Sequence, residues 1–64
     1  MKKYIVGLAN LYDGSNKLHI VEANSPIEAM KIVLGLQHEE FSNVEEIQAY
    51  AHDGELLISE PMEL

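Results

Sequence analysis

The stretch Val44-Glu45-Glu46-Ile47-Gln48-Ala49-Tyr50-Ala51-His52-Asp53-Gly54 decides the fold of this chain, because it fits two kinds of secondary structure. Ile47, Ala49 and Ala51 alternate with polar or aromatic residues, which is typical of a β-strand with one buried face. Asp53-Gly54 is favoured in two-residue hairpin turns, since glycine adopts positive φ without strain. We therefore interpret residues 44–52 as a strand that forms a hairpin with the apolar segment after it.

A short helix is the alternative for the same stretch. Ser42-Asn43-Val44-Glu45 has the spacing of a capping box, in which the first and fourth residues satisfy each other's backbone N–H groups. A helix that begins there would cover residues 43–51. The alternation and the Asp53-Gly54 pair favour the strand.

The residues before this stretch predict a hairpin followed by a helix. Residues 4–11 are almost wholly apolar, and turn formers separate them from residues 17–22, where polar and apolar residues alternate. Ser25-Pro26-Ile27-Glu28 predicts the start of a helix, because Ser25 can cap it, Pro26 suits the first turn and Glu28 completes a capping box. Gly35 is the predicted stop, and the alternative is a helix that runs on to Glu40.

The predicted fold is one α+β domain over residues 1–64 with the element order ββαββ. The most apolar strands, 4–11 and 56–58, are expected in the middle of a four-stranded sheet, and the alternating strands at its edges. This predicts the strand order 2-1-4-3, with the first and fourth strands parallel and one helix on one face. The architecture resembles that of the β-grasp domains, and the resemblance is one of architecture only, since no motif is shared.

One helix would leave the other face of the sheet uncovered. Tyr50 and Leu57 are predicted on that face, together with whichever alternate residues of the first strand point away from the helix. Both sets in that strand are apolar, so the sequence leaves this choice open. Exposed apolar patches on small proteins often mark contacts, and tyrosine is favoured at them. We therefore expect this face to contact another protein or a second copy.

Charge is distributed unevenly along the chain. The net charge is −7, and the only basic residues besides histidine are four lysines. The first 38 residues contain all four lysines and three carboxylates, whereas the last 26 contain eight carboxylates and no lysine or arginine. This asymmetry favours encounters with basic surfaces and disfavours phosphates and anionic lipid. We predict a protein partner with a basic surface, and neither a nucleic-acid nor a membrane partner.

The sequence predicts no catalytic residues, no cofactor and no metal site. Cysteine is absent, and none of the four serines lies in a nucleophile elbow. His19, His38 and His52 fall in different predicted elements, so they are not expected to converge on one metal ion. A 64-residue chain also has little volume for a pocket. We expect a protein that is not an enzyme, and a cytoplasmic location, because the apolar run after the first lysines breaks at Asn10.

Two functions are consistent with these features. The first is a small acidic inhibitor or modulator, of the type that phages encode, which engages a basic surface of a partner such as a nucleic-acid-handling enzyme. Carboxylates would steer the approach, and apolar residues would anchor the complex. The predicted contact residues are Glu39, Glu40, Glu45, Glu46, Tyr50, Asp53, Glu55 and Leu57. The alternative is a self-assembling accessory protein that forms a homo-oligomer through its uncovered sheet face.

Overall fold

Two helices cover one face of an antiparallel sheet in the computed structural model, which describes residues 1–64. The elements in chain order are β1 (Lys2–Asn10), β2 (Asn16–Ala23), α1 (Pro26–Leu34), α2 (Val44–Asp53), β3 (Leu56–Ile58) and β4 (Met62–Glu63). The α+β class and the number of strands agree with the prediction, but the strand predicted over residues 44–52 is a helix, and the unpredicted β4 is the fourth strand. The helix count, the strand order and the β-grasp-like connectivity were predicted wrongly.

The predicted hairpin at the start of the chain is confirmed. β1 and β2 pair antiparallel along their whole length, and Gly14 in the loop between them has a φ of 75°. Hydrogen bonds from Ser15, first from its side chain and then from its backbone, lower the pKa of Asp13 below its ordinary 3.8. The stabilisation from this carboxylate is therefore complete above the ordinary pKa and is lost as the pH falls through the lower, folded-state pKa.

Helix α1 begins and ends where its local signals predict. The Ser25 side chain accepts the backbone N–H of Glu28 at 3.2 Å, and Pro26 occupies the first turn. Gly35 has a φ of 71°, and the N–H of Leu36 donates to the carbonyl of Lys31 at 2.8 Å. This pattern is a Schellman cap, which favours glycine because only glycine adopts positive φ without strain. The helix therefore stops at Leu34 and does not run on to Glu40.

The predicted strand over residues 44–52 is wrong, because this stretch forms α2. The N-cap of this helix is Asn43 and not Ser42, because Asn43 Oδ1 accepts the backbone N–H of Glu46 at 2.8 Å. Ile47 and Ala51 are separated by about one helical turn and are both buried. Residues 47 and 51 are also an even number of positions apart, so they would lie on the same face of a strand. Their burial is therefore compatible with either a helix or a strand.

The predicted hairpin turn at Asp53-Gly54 is also wrong. Gly54 has a φ of −93°, and its N–H closes the last turn of α2 by donating to the Ala51 carbonyl at 3.0 Å. The left-handed conformation falls one residue later, on Glu55, whose φ is 62°. A residue with a Cβ pays a steric cost in this region.

We expect Glu55→Gly to raise the free energy of unfolding by about 1 kcal/mol, because glycine adopts this φ without strain. Urea unfolding followed by circular dichroism measures the change. Glu55→Gln is the matched control, since it removes the charge and keeps the Cβ. An equal gain in both variants would show that charge, and not backbone strain, is responsible.

The strand β3 pairs with β1 rather than with residues 44–52. It lies next to β1 as predicted, but the two strands are antiparallel and not parallel. β1 is the central strand, with β2 on one side and β3 on the other, so the order β2-β1-β3 replaces 2-1-4-3. β4 also pairs antiparallel with β1, beyond β3 along the same edge.

A β-bulge separates β3 from β4. Leu8 pairs with Ile58 and Tyr4 pairs with Glu63, so five steps along the C-terminal segment match four along β1. Ser59 lies at this bulge and forms two hydrogen bonds with the backbone of Gly7. Its side-chain oxygen accepts the Gly7 N–H at 2.8 Å, and its own N–H donates to the Gly7 carbonyl at 2.8 Å.

The hydrophobic core lies between the helices and the inner face of the sheet. Tyr4 and Val6 of β1 are buried, so this set of alternate residues faces the helices. Leu8 packs against the same core from the end of the strand. The buried cluster consists of Tyr4, Val6, Ala23, Ala29, Met30, Ile47, Ala51 and Ile58. Both helices contribute to this one cluster, and the opposite face of the sheet has no helix on it.

Candidate functional site

Helix α2 presents a polar outer face, because its apolar residues point into the core. Ile47 and Ala51 are buried, and Gln48 Nε2 donates to the Ile58 carbonyl at 3.1 Å, which ties the inner side of the helix to β3. Glu45 and Glu46 are exposed on the other side. The helix therefore presents its carboxylates to solvent.

Tyr50 is the aromatic residue of this outer face. Its ring packs edge-on against Phe41, with centroids 5.6 Å apart and planes at 75°, yet half of the residue remains exposed. Tyr50 lies about one turn after Glu46 and one turn before Asp53, so the helical period places the ring between two carboxylates. The Tyr50 ring, held by Phe41 and flanked by carboxylates, could bind a lysine or arginine side chain. The ring offers a π face to the cation, and the carboxylates offer opposite charge.

The segment before α2 adds two more carboxylates. Because Phe41 contacts Tyr50, this segment runs beside the helix, and its residues Glu39 and Glu40 are exposed. We refer to Glu39, Glu40, Glu45, Glu46, Tyr50 and Asp53 as the acidic surface.

No carboxylate of the acidic surface has an ion-pair partner within the chain. The one ion pair of the structure joins Lys2 Nζ to Glu63 Oε1 at 3.6 Å, between β1 and β4. Both of these side chains are exposed, so the pair contributes little to stability. The field of the acidic surface is therefore not neutralised from within the molecule.

A shallow depression lies beside Tyr50, between the end of α1 and the end of α2. Its volume is about 100 Å³, and it is lined by Leu34, Leu36, Tyr50, Ala51, Gly54 and Leu56. Cofactor and substrate pockets are typically about 300–1,000 Å³, so this depression is too small for either. Its volume suits part of one aliphatic side chain, and the walls are mostly apolar.

The structure places all the predicted contact residues except Leu57 on α2, directly after it, or in the segment before it. Glu55 directly follows α2, and the rest belong to the acidic surface. Leu57 pairs with Ala9 and points to the face of the sheet that the helices do not cover. The prediction that Tyr50 and Leu57 share one sheet face is wrong, because it assumed that Tyr50 lies in a strand.

The uncovered face of the sheet is largely apolar. Leu18 and Ile20 of β2 are 69% and 65% exposed, Met62 is 68% exposed and Leu57 is 49% exposed. In the register of the sheet, Ile5 lies between Ile20 and Met62. We define the outer sheet face as Ile5, Gly7, Ala9, Leu18, Ile20, Leu57 and Met62.

Sequence reasoning missed Leu18, Ile20 and Met62 as members of this face. The signal for the two β2 residues is the pairing of the hairpin, which sets Val21 opposite Tyr4 and Ile20 opposite Ile5. Once Tyr4 is placed in the core, Ile20 must point outward. Met62 follows Pro61, and proline is unfavourable inside a strand, so the sequence gives no signal for a strand there.

No group of three or more His, Cys, Asp or Glu side chains is placed to hold a metal ion. Neither helix has the length and apolar character needed to span a bilayer.

Comparison with known proteins finds no protein-family model, no curated protein and no solved structure that matches this chain.

Proposed function

We propose that this chain is a small, non-enzymatic protein-binding module, an inhibitor or modulator that engages a basic surface of a partner protein through its acidic surface. The observation that carries this proposal is the environment of Tyr50. Its ring is supported by Phe41, half exposed, and flanked by carboxylates that have no ion-pair partner in the chain. This combination of an anchor and opposite charge matches lysine or arginine side chains on a partner.

The two components of the acidic surface have different effects on binding. Carboxylates at the surface accelerate encounters with a basic partner, and salt screens this effect. Tyr50 and the depression beside it bury apolar area, and such contacts mainly determine how slowly the complex dissociates. Charge reversal should therefore reduce the association rate, and removal of the Tyr50 ring should raise the dissociation rate.

The charge of the chain also indicates the kind of partner surface. A protein surface that holds nucleic acid is rich in lysine and arginine, because phosphate contacts supply most of the affinity. A module with net charge −7 would compete with phosphates for such a surface. We therefore propose that the partner is a nucleic-acid-handling enzyme. This chain would inhibit it by covering its basic surface, as small phage-encoded inhibitors do.

Affinity capture from bacterial lysate tests this proposal. We expect the tagged protein to retain one stoichiometric partner at about 0.1 M salt and to lose it at about 0.5 M salt, where screening is stronger. Excess duplex DNA should displace the partner if the basic surface normally holds nucleic acid. Glu40→Lys combined with Glu45→Lys should reduce the captured amount at least about tenfold.

The matched control reverses the charge of two residues outside the acidic surface. Asp13→Lys combined with Glu60→Lys changes the net charge by the same amount, and both residues are exposed. We expect this control to capture the partner nearly as well as the unmodified chain does. Equal losses in the two double variants would show that total charge, and not the acidic surface, governs capture, and the proposal would be abandoned.

A further inference from the structure

We propose that the outer sheet face is a homodimer interface, in which two copies stack their sheets face to face about a twofold axis. This inference is independent of the proposed function, because it concerns the opposite side of the molecule from α2. The occupant of the face is a second copy of this chain, on grounds of shape, charge and area.

The outer sheet face contains both a groove and protruding apolar side chains. A groove of about 320 Å³ passes over Gly7, with Leu18 and Leu57 among its walls. Ile20 and Met62 belong to the same face and are about two-thirds exposed. A twofold interface places one patch against an identical patch, so each copy must supply both a groove and a side chain to fill it. This face supplies both.

Gly7 keeps the groove open. A Cβ at this position would lie 3.4 Å from Ser59 Oγ and 3.5 Å from Leu18 Cδ2, so any larger side chain would fill the space between them. Because Ser59 also bonds to the Gly7 backbone, the floor of the groove is held in place.

Charge favours a second copy at this face rather than at any other large surface. Among the paired residues that point to it, only Lys3 and Glu22 are charged, and they lie opposite each other in the register of β1 and β2. Lys17, which pairs with Leu8, also lines the groove, and it adds no negative charge. The acidic surface is in the helical layer, on the other side of the sheet. Two copies with net charge −7 can therefore approach through the outer sheet face without bringing their acidic surfaces together.

The area of the face is that of a small, reversible protein–protein interface. Strand spacing and rise give a face of roughly 14 Å by 30 Å, a projected area of about 420 Å², and the protruding side chains raise its accessible surface to on the order of 600 Å² per copy. The whole chain exposes 4392 Å². Stable interfaces typically remove about 800 Å² from each partner, so this one falls at the smaller end of that class. We expect a dissociation constant of about 10 µM.

Sedimentation velocity from about 1 µM to about 1 mM measures the association. We expect the mass to rise from 7.2 kDa to twice that value with concentration, and equally at about 0.1 M and about 0.5 M salt, since the interface is apolar. Ile20→Lys and Met62→Lys should each weaken dimerisation at least about 100-fold by placing a charge in the interface. Tyr12→Lys is the matched control, because Tyr12 is exposed in the loop after β1 and outside the face, and it should dimerise normally.

Three results would overturn the proposal. A mass of one chain at about 1 mM would exclude a second copy as the occupant and leave a different protein or no partner. Equal dimerisation of Ile20→Lys and Tyr12→Lys would place the contact elsewhere. If Ile20→Lys abolished the dimer and Met62→Lys did not, the two copies would pair edge to edge through β2. Met62 would then lie outside the contact, because it is on the opposite edge of the sheet.

Discussion

Ile47→Ala is expected to lower the free energy of unfolding by about 3 kcal/mol. Ile47 is fully buried where α2 meets the core, so the substitution removes apolar contacts and leaves a cavity. A 64-residue domain has a total stability of roughly 3–10 kcal/mol, so the loss is a large part of the whole. The variant should unfold at much lower urea concentration.

Ile20→Ala is the matched control for this prediction. It makes the same chemical change at a strand residue that is 65% exposed, so it should cost no more than about 1 kcal/mol, the span of strand propensity. Both variants are compared with the unmodified chain by urea unfolding at about 1 µM protein, where the monomer predominates if the dimer dissociates at about 10 µM. Equal destabilisation by the two substitutions would contradict the placement of Ile47 in the core.

Ala49→Pro is expected to destabilise the protein by about 3 kcal/mol or more. Ala49 lies inside α2, where proline removes a backbone hydrogen bond and its ring clashes with the preceding turn. The side chain of Ala49 is exposed, so loss of packing does not contribute. Far-ultraviolet circular dichroism should show less helix, and thermal unfolding should begin at lower temperature.

Two smaller substitutions at Ala49 distinguish a helix from the strand that the alternation suggests. Ala49→Gly should cost about 1 kcal/mol, and Ala49→Val about 0.5 kcal/mol, because both residues have lower helix propensity than alanine. In a strand, valine would be favoured over alanine instead. A stabilising Ala49→Val substitution would therefore contradict the helical assignment of residues 44–53.

The parts of the fold that the sequence predicted correctly depend on local chemistry. Ser25, Pro26 and Gly35 define the ends of α1, because a side-chain cap, a fixed φ and a positive φ act within a few residues. The hairpin of β1 and β2 follows from an apolar run, a cluster of turn formers and an alternating run. None of these signals depends on the rest of the molecule.

The error at α2 arose because one pattern satisfied two periods. Ile47 and Ala51 are four residues apart, which fits both a helix face and a strand face. Propensity was the signal that could have decided between them, since glutamate, glutamine and alanine dominate the stretch and only Val44 and Ile47 are β-branched. Asp53-Gly54 favours a hairpin turn, whereas in the structure the same glycine closes the helix.

The sequence predicts part of the candidate site, namely the part that depends on composition and not on packing. The excess of carboxylates in the second half of the chain is a property of composition, and six of these eight residues are exposed on α2 or beside it, namely Glu39, Glu40, Glu45, Glu46, Asp53 and Glu55. The pairing of Phe41 with Tyr50, and the separation of Tyr50 from Leu57, depend on α2 being a helix. The outer sheet face depends on which residues of β1 meet the helices.

The sequence by itself determined the α+β class, the hairpin, the first helix and the uneven charge, because these follow from residues close together in the chain. Tertiary structure alone decided that Tyr4 and Val6 face the core while Ile5 and Gly7 face outward. Both sets are apolar, so the choice depends on where α1 and α2 cross the sheet and how Met30 and Ile47 fill the space beneath them. That packing joins residues far apart in the chain, and no local pattern specifies it.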